Sequence, residues 1–134
     1  MKELLPQKED DVVNLMSPLV WAYIGDAVYE VYIRTYLINT TKLNAHMLHV
    51  KAIQYVKAGA QAKALQAIHE KLTDKEKEIV RRARNTKKHH VAKNAEVVDY
   101  AYATAFEGLI GYLYLTKQDS RIQEIIEWII RQEN

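Results

Sequence analysis

Apolar residues recur along this chain at steps of three and four positions, the spacing that brings side chains to one face of an α-helix. Ser17 and Pro18 are typical of a helix start, and Thr73 to Glu76 fit a capping box. The predicted helices cover residues 9–15, 18–38, 42–72 with a bend at Gly59, 73–84, 95–116 and 119 onward, and residues 85–94 are predicted to be a loop. Because the sequence shows no strand alternation and no repeat, the predicted fold class is all-α, one domain over residues 1–134 with about six or seven helices.

The composition agrees with a helical domain. The chain has 134 residues, enough for one core, and its 4 Gly and 2 Pro leave few positions for tight turns. Without Cys, disulfides and thiolate metal sites are excluded. No signal-peptide pattern opens the sequence, and its longest apolar run, residues 100–115, is shorter than the roughly 20 residues of a membrane span. We therefore expect a cytoplasmic protein with no membrane partner, and its net charge of only +2 means that polyanion binding would need local clusters of cations.

The most apolar predicted helix carries three charged residues between positions 19 and 37. These are Asp26, Glu30 and Arg34, and their four-residue spacing stacks them on one narrow stripe. Glu30 is therefore expected to pair with Arg34. Since the rest of the circumference is apolar, we expect protein to surround this helix on most sides.

A second apolar helix also carries one isolated acid. Glu107 is the only charged residue in the run from 100 to 115, and a glycine flanks each acid, Gly25 before Asp26 and Gly108 after Glu107. If the two carboxylates meet they repel each other, and a Mg²⁺ ion between them would remove that repulsion, because Mg²⁺ often binds through one or two carboxylates. The alternative is structural: hydrogen bonds from buried tyrosines, or pairing with Arg34.

A basic segment lies between these two helices. Residues 81–93 contain six Lys or Arg, two His and no acid, more positive charge than a helix end requires. A phosphate backbone is the natural partner of such a cluster, and a merely solvated basic loop is the alternative. The candidate contacts are Arg82, Arg84, Asn85, Lys87, Lys88, His89, His90 and Lys93.

His46 and His49 share a helix face, but without an apparent third metal ligand they are interpreted as surface residues or residues near the site.

Two short motifs carry a resemblance to a known family. Ile24-Gly-Asp-Ala-Val28 is similar to the signature helix of ribonuclease III, and Phe106-Glu-Gly-Leu-Ile-Gly111 resembles the second acidic helix of that family. Both occur in the expected order, with the basic segment between them. Arg84-Asn85 and Thr104-Ala-Phe-Glu107 are similar to the stand-alone bacterial subgroup, Mini-ribonuclease III, which lacks the double-stranded-RNA-binding domain.

The resemblance implies an α-helical homodimer that cleaves double-stranded RNA with Mg²⁺ and leaves 5′-phosphate and 3′-hydroxyl ends. Asp26 and Glu107 would be the catalytic, metal-holding residues, Tyr23 would pack at the dimer contact, and the basic loop would grip phosphates across a minor groove. The family's substrates suggest precursor large-subunit (23S) ribosomal RNA. Whether a ribosomal protein acts as a helper stays open.

Two positions depart from the family pattern. Classical members of the family have Glu where this chain has Ala22 and Asp where it has Thr104, so the number of metal ions per site stays open. Thr104 lies one turn before Glu107 and is expected to hold a water of the metal, while Glu30 is expected to act beside Asp26. A catalytically inactive RNA-binding module of the same fold, and a helical protein-interaction domain, are the alternatives to the nuclease.

Overall fold

The computed structural model describes residues 9–86 and 95–133, with only the backbone for Ala95, Glu96 and Glu133. These residues form seven α-helices and one short 3₁₀ turn, and none of them is in a strand, as the all-α prediction requires. The helices are α1 (Asp10–Leu15), α2 (Pro18–Thr40), α3 (Ala45–Val56), α4 (Ala58–Ile68), α5 (Asp74–Arg84), α6 (Ala95–Leu115) and α7 (Asp119–Glu133), with the 3₁₀ turn at His69–Lys71. Most of the predicted loop at 85–94 lies outside the described residues.

The core is built around α2 and α6, which make the most extensive contact in the fold. Tyr29 and Phe106 pack edge to face with ring centroids 4.8 Å apart, and Trp21 meets Tyr112 in the same way at 5.3 Å. Such aromatic pairs add to the stability that burial of the rings already provides. Helices α4 and α5 also pack on α6, and α7 and α1 make smaller contacts with it, so the second acidic helix is enclosed by other helices.

The helix caps predicted at Ser17 and at Thr73 are confirmed, whereas the helix predicted to begin at residue 42 begins at Ala45. The Ser17 hydroxyl accepts a hydrogen bond from the Leu19 amide at the start of α2. At the start of α5, the Thr73 hydroxyl accepts from the Glu76 amide and the Glu76 carboxylate accepts from the Thr73 amide, which completes the capping box. Each bond satisfies a backbone amide that has no partner within its own helix.

The single helix predicted over residues 42–72 is wrong, because the chain breaks there into α3 and α4. Lys57 is extended, with φ −66° and ψ 154°, and it both ends α3 and precedes α4. Gly59, the predicted bend, lies inside α4. The break is stabilised by Gln61, whose side-chain amide donates to the Val56 carbonyl oxygen over 2.8 Å and so satisfies an acceptor left open at the end of α3.

The expectation that protein surrounds α2 on most sides is also wrong for this chain alone. One face of α2 is buried, but the opposite face carries apolar residues that are exposed to solvent. Tyr23 is 82% exposed and Val31 is 61% exposed. The exposed apolar residues of α2 follow helical spacing and form one stripe, made of Val20, Tyr23, Ala27, Val31 and Ile38.

An ion pair joins α5 to α7. The Arg121 guanidinium donates to both carboxylate oxygens of Glu76, over 2.7 and 2.8 Å, and stacks on the Trp128 ring at 4.9 Å. Burial acts to raise the pKa of Glu76, but the hydrogen bonds from Arg121 and Thr73 outweigh burial and hold this pKa below its ordinary value. None of the described helices has the length and apolar character that crossing a membrane requires.

Candidate active site

The two isolated acids are brought together by a very close helix crossing. A Cβ atom added at Gly25 of α2 would lie 1.8 Å from the Glu107 carbonyl oxygen of α6, and one added at Gly111 would lie 1.7 Å from the Trp21 carbonyl oxygen. Only glycine allows two helix backbones to approach in this way. Positions 21 and 25 therefore face 111 and 107 in an antiparallel arrangement. Asp26 follows directly after Gly25, whose backbone lies against that of Glu107, so the two acidic positions belong to the same helix crossing.

The two acids differ in their surroundings. Asp26 is exposed, and its carboxylate has no hydrogen-bond partner among residues 9–86 and 95–133. Glu107 is half-buried, and its Oε2 atom accepts from the Gln61 side-chain amide over 3.4 Å. One acid is thus open to a ligand from solvent, while the other is anchored in the protein.

Glu30 and Arg34 form the predicted ion pair one turn beyond Asp26. The guanidinium Nη2 lies 2.7 Å from the Glu30 carboxylate, and both side chains are partly exposed. Arg34 is therefore engaged with Glu30, and the alternative in which it neutralises Asp26 has no support in the structure. An exposed i,i+4 ion pair of this kind contributes little to the stability of the protein. Its effect is to hold the Glu30 and Arg34 side chains in place beside Asp26.

The positions that depart from the family's acidic pattern are both buried. Ala22 lies on the inner face of α2, and Thr104 is 3% exposed. The Thr104 hydroxyl donates to the Tyr100 carbonyl oxygen over 2.9 Å, so its proton is used within α6 and only its lone pairs are available to another donor. Within the described part of the chain, no three His, Asp or Glu side chains are grouped to hold a metal ion. Of the four positions that carry acids in the family pattern, only Asp26 and Glu107 carry a carboxylate in this chain.

The start of the basic segment lies beside this crossing. A Cβ atom at Gly108, next to Glu107, would lie 2.7 Å from the Ala83 Cβ atom of α5. Arg84 and Asn85 follow Ala83 directly and are exposed. The predicted contacts at Lys87, Lys88, His89, His90 and Lys93 lie outside the described residues.

Arg82 differs from the other cations of the segment. Its guanidinium donates to the Asn14 carbonyl oxygen over 3.0 Å and lies 4.7 Å from the centre of the Trp21 ring. These contacts hold α5 against the end of α1 and the start of α2, so they favour a structural role. His46 and His49 are both exposed on α3.

Two features near the site were missed from the sequence alone. Gln61 contacts Glu107, although nothing in the Ala-, Gln- and Lys-rich pattern of its helix marks it. Residues 31–69 contain no Asp or Glu, and every Lys and Arg among them is exposed; this signal was available by counting acids along the chain. The exposed cations of the stretch are Arg34, Lys42, Lys51, Lys57 and Lys63.

Comparison with known proteins decides the family. The model of the ribonuclease III domain matches residues 19–118, a range that contains both acids and the close crossing. The chain belongs to the ribonuclease III family. It is therefore an endoribonuclease, and the family's substrate is double-stranded RNA.

Individual relatives agree with the family assignment. Mini-ribonuclease 3 of Clostridium tetani is 50% identical over 116 residues, which are 86% of this chain and 77% of that protein. Mini-ribonuclease 3 of Enterococcus faecalis is 47% identical over 118 residues, 87% of this chain and 89% of that protein. A crystal structure of a Fusobacterium nucleatum protein superposes with a TM-score of 0.81 at 31% identity and covers 92% of this chain and 99% of that one.

Membership in the ribonuclease III family ranks the functions that the sequence left open. Relatives named Mini-ribonuclease 3 support the enzyme over the inactive RNA-binding module and over a helical protein-interaction domain. In this ribonuclease III domain the acidic residues of the crossing are Asp26 and Glu107, while Ala22 and Thr104 provide no carboxylate.

Proposed function

We propose that this chain hydrolyses double-stranded RNA at the crossing of α2 and α6, with Asp26 and Glu107 holding Mg²⁺. One observation carries the proposal: Gly25, which precedes exposed Asp26, lies against the backbone of half-buried Glu107, so both acidic positions belong to one crossing. Hard carboxylate oxygens suit Mg²⁺, and a set of two suits its habit of keeping several waters. When bound, the ion stabilises negative charge on the phosphate and supplies an activated water.

The residues of the chain bind and orient the reacting groups. Exposed Asp26 meets the incoming RNA on the solvent side, while Glu107 is held on the protein side by Gln61. The reaction adds water to phosphorus and breaks the bond to the 3′ oxygen, so the products carry 5′-phosphate and 3′-hydroxyl ends. Glu30, held in its ion pair with Arg34, lies one turn from Asp26, and the lone pairs of Thr104 can accept a hydrogen bond from a water near Glu107.

The RNA grip comes from the basic segment and the acid-free stretch. Arg84 and Asn85 are exposed beside the crossing, and the sequence adds the cations Lys87, Lys88 and Lys93 together with His89 and His90. The absence of acids over residues 31–69 lowers repulsion of a polyanion on the α3 and α4 side. Contacts of this kind recognise the shape of an A-form duplex more than its sequence.

A homodimer explains the exposed stripe of α2. Large apolar side chains such as Tyr23 and Val31 gain stability when a partner covers them, and contiguous exposed apolar surface marks interaction sites. We propose that the same stripe of a second copy covers it, as the family resemblance implies. Two catalytic crossings would then act on one duplex.

The natural substrate that we propose is precursor 23S ribosomal RNA in the cytoplasm, on the strength of the family resemblance. A helper such as a ribosomal protein would present the folded precursor. The test is digestion of duplex RNA and of precursor 23S RNA with and without Mg²⁺, read at nucleotide resolution. Cuts with 5′-phosphate ends that need Mg²⁺ support the proposal, and binding of duplex RNA without any cut contradicts it.

A further inference from the structure

Gln61 is a buried polar residue beside the proposed metal site that the mechanism above uses only as an anchor. It is 2% exposed and lies in the first turn of α4, directly after the break at Lys57. Its side-chain nitrogen donates to the Val56 carbonyl oxygen over 2.8 Å and to Glu107 Oε2 over 3.4 Å. The same amide group therefore reaches both the end of α3 and one of the two acids.

The orientation of this amide is fixed by its neighbours. Both neighbours are acceptors, a carbonyl oxygen and a carboxylate, so the nitrogen has to face them, and the flipped amide would set oxygen against oxygen at both contacts. The contact with Glu107 is long for a hydrogen bond, so it contributes little to stability. Its main effect is on the orientation of the Glu107 carboxylate.

The oxygen atom of the Gln61 amide lowers the stability of the fold. Gln61 Oε1 is buried and has no hydrogen-bond partner within the described part of the chain. A methionine of similar length would fill the space without a buried, unsatisfied oxygen. What methionine cannot supply is the pair of N–H groups, and one of these points at Glu107.

From this geometry we infer that Gln61 is a positioning residue, which restrains the Glu107 carboxylate in the orientation that binds the divalent cation. The inference rests on the proposed function, since it assumes that Glu107 holds the ion. Gln61 itself touches neither substrate nor cation. Groups that orient a metal ligand in this way typically change metal affinity by about 10- to 100-fold when they are removed.

The decisive variant is Gln61→Met, with Gln66→Met as the matched control, because Gln66 lies on the same helix but is exposed. For each protein we would measure the Mg²⁺ concentration that gives half-maximal single-turnover cleavage of duplex RNA. Binding of Mn²⁺ to the protein alone, followed by electron paramagnetic resonance, gives a second readout that does not depend on cleavage. Thermal unfolding and duplex-RNA affinity without divalent cations report on the fold and on RNA binding.

We expect Gln61→Met to raise the half-maximal Mg²⁺ concentration and weaken Mn²⁺ binding by about 10-fold. Its cation-free RNA affinity should match that of the wild type. Its melting temperature should change little, because loss of the hydrogen bond to Val56 is offset by loss of the buried, unsatisfied oxygen. Gln66→Met should change nothing. If Gln61→Met lowers the melting temperature, Gln61→Leu repeats the removal of the donor with a different shape. Unchanged Mg²⁺ dependence and Mn²⁺ binding in a folded variant overturn the role of Gln61, whereas a wild type that never cleaves overturns the proposed function instead.

Discussion

Asp26 and Glu107 lie at the same helix crossing, but the protein holds them differently. Asp26 is exposed and has no partner among the described residues, whereas Glu107 is half-buried and contacts Gln61. Since the Asp26 side chain buries little surface and makes no hydrogen bond within the described residues, it contributes little to stability. Its replacement should therefore separate function from folding.

The residue-scale prediction is that Asp26→Asn keeps the fold and the affinity for duplex RNA but loses cleavage. Asparagine has the same shape and removes one negative ligand from the proposed Mg²⁺ site. A bound metal ion stabilises the charge of the transition state by several kcal/mol, so we expect the cleavage rate in Mg²⁺ to fall by about a thousandfold when this ligand is lost. Asp119→Asn, an exposed aspartate at the start of α7, is the control that should keep full activity. A normal cleavage rate for Asp26→Asn would remove this residue from the mechanism.

Single residues also mark how far the sequence alone could predict the site. Asp26 and Glu107 were marked as candidates because each is a lone acid in an apolar helix. Gln61 was not, because an amide is neutral and its burial depends on how α4 packs against α6, which helical periodicity does not record.

At the scale of helices, the crossing of α2 and α6 depends on the absence of two side chains. Gly25→Ala would force a Cβ atom to within 1.8 Å of a backbone oxygen, which cannot turn away as a side chain would. We expect it to destabilise the protein by about 3 kcal/mol and to lower the melting temperature by about 10 °C. Calorimetry or circular dichroism would measure the shift.

Gly59→Ala is the matched control for that substitution. Its Cβ atom would lie 3.5 Å from the nearest atom, Asp99 Oδ2, which is an ordinary contact. Since Gly59 lies in α4, alanine there should be neutral or stabilising by up to about 1 kcal/mol. Equal melting temperatures for the two alanine variants would contradict the account of the crossing.

The ion pair between α5 and α7 makes stability depend on pH. The pKa of Glu76 is lower in the folded protein than in the unfolded chain, so its contribution is complete above the unfolded value of about 4.3 and is lost as the pH falls through the folded value. Glu76→Gln should keep the capping box but lose the charge, and the free energy of unfolding at pH 7 should fall by about 1–3 kcal/mol. Urea unfolding at pH 7 and below pH 4 should show this difference shrinking in acid; a constant difference would contradict the assignment.

The helix ends also show what the spacing of apolar residues cannot predict. The capping box at Thr73 was predicted because all its members are neighbours in sequence. The break at Lys57 was not, since it depends on Gln61 turning back to the Val56 carbonyl oxygen, and the nearby Gly59 gave a more familiar but wrong signal.

At the scale of the whole molecule, the stripe on α2 should set the oligomeric state. Tyr23→Ala removes the most exposed large side chain of the stripe and should convert the proposed dimer to a monomer in sedimentation velocity. Tyr114→Ala, an exposed tyrosine on α6 outside the stripe, should stay dimeric. A dimer that survives Tyr23→Ala places the contact elsewhere. The sequence showed that this stripe is apolar, but periodicity cannot say what covers it.

The cations of the basic segment should determine how RNA binding depends on salt. We expect the double variant Lys87→Ala, Lys88→Ala to weaken binding and to reduce the slope of log affinity against log salt by about one for each phosphate that the variant no longer neutralises. The control is Lys117→Asn, which removes a cation outside the basic segment. Asparagine tolerates the positive φ of 60° at that position. An unchanged slope in the double variant would exclude these lysines as phosphate contacts.

The reciprocal fit of Gly25 and Gly111 ties catalysis to the integrity of the whole domain. Each glycine seats a carbonyl oxygen of the opposite helix, so a slip of one residue in either direction would drive a side chain into backbone. The two helices thus have a single allowed register, and side-chain rotation cannot pull the acidic positions apart. On heating, nuclease activity should vanish over the same temperature interval as the helical circular dichroism signal, with no native-like but inactive species in between.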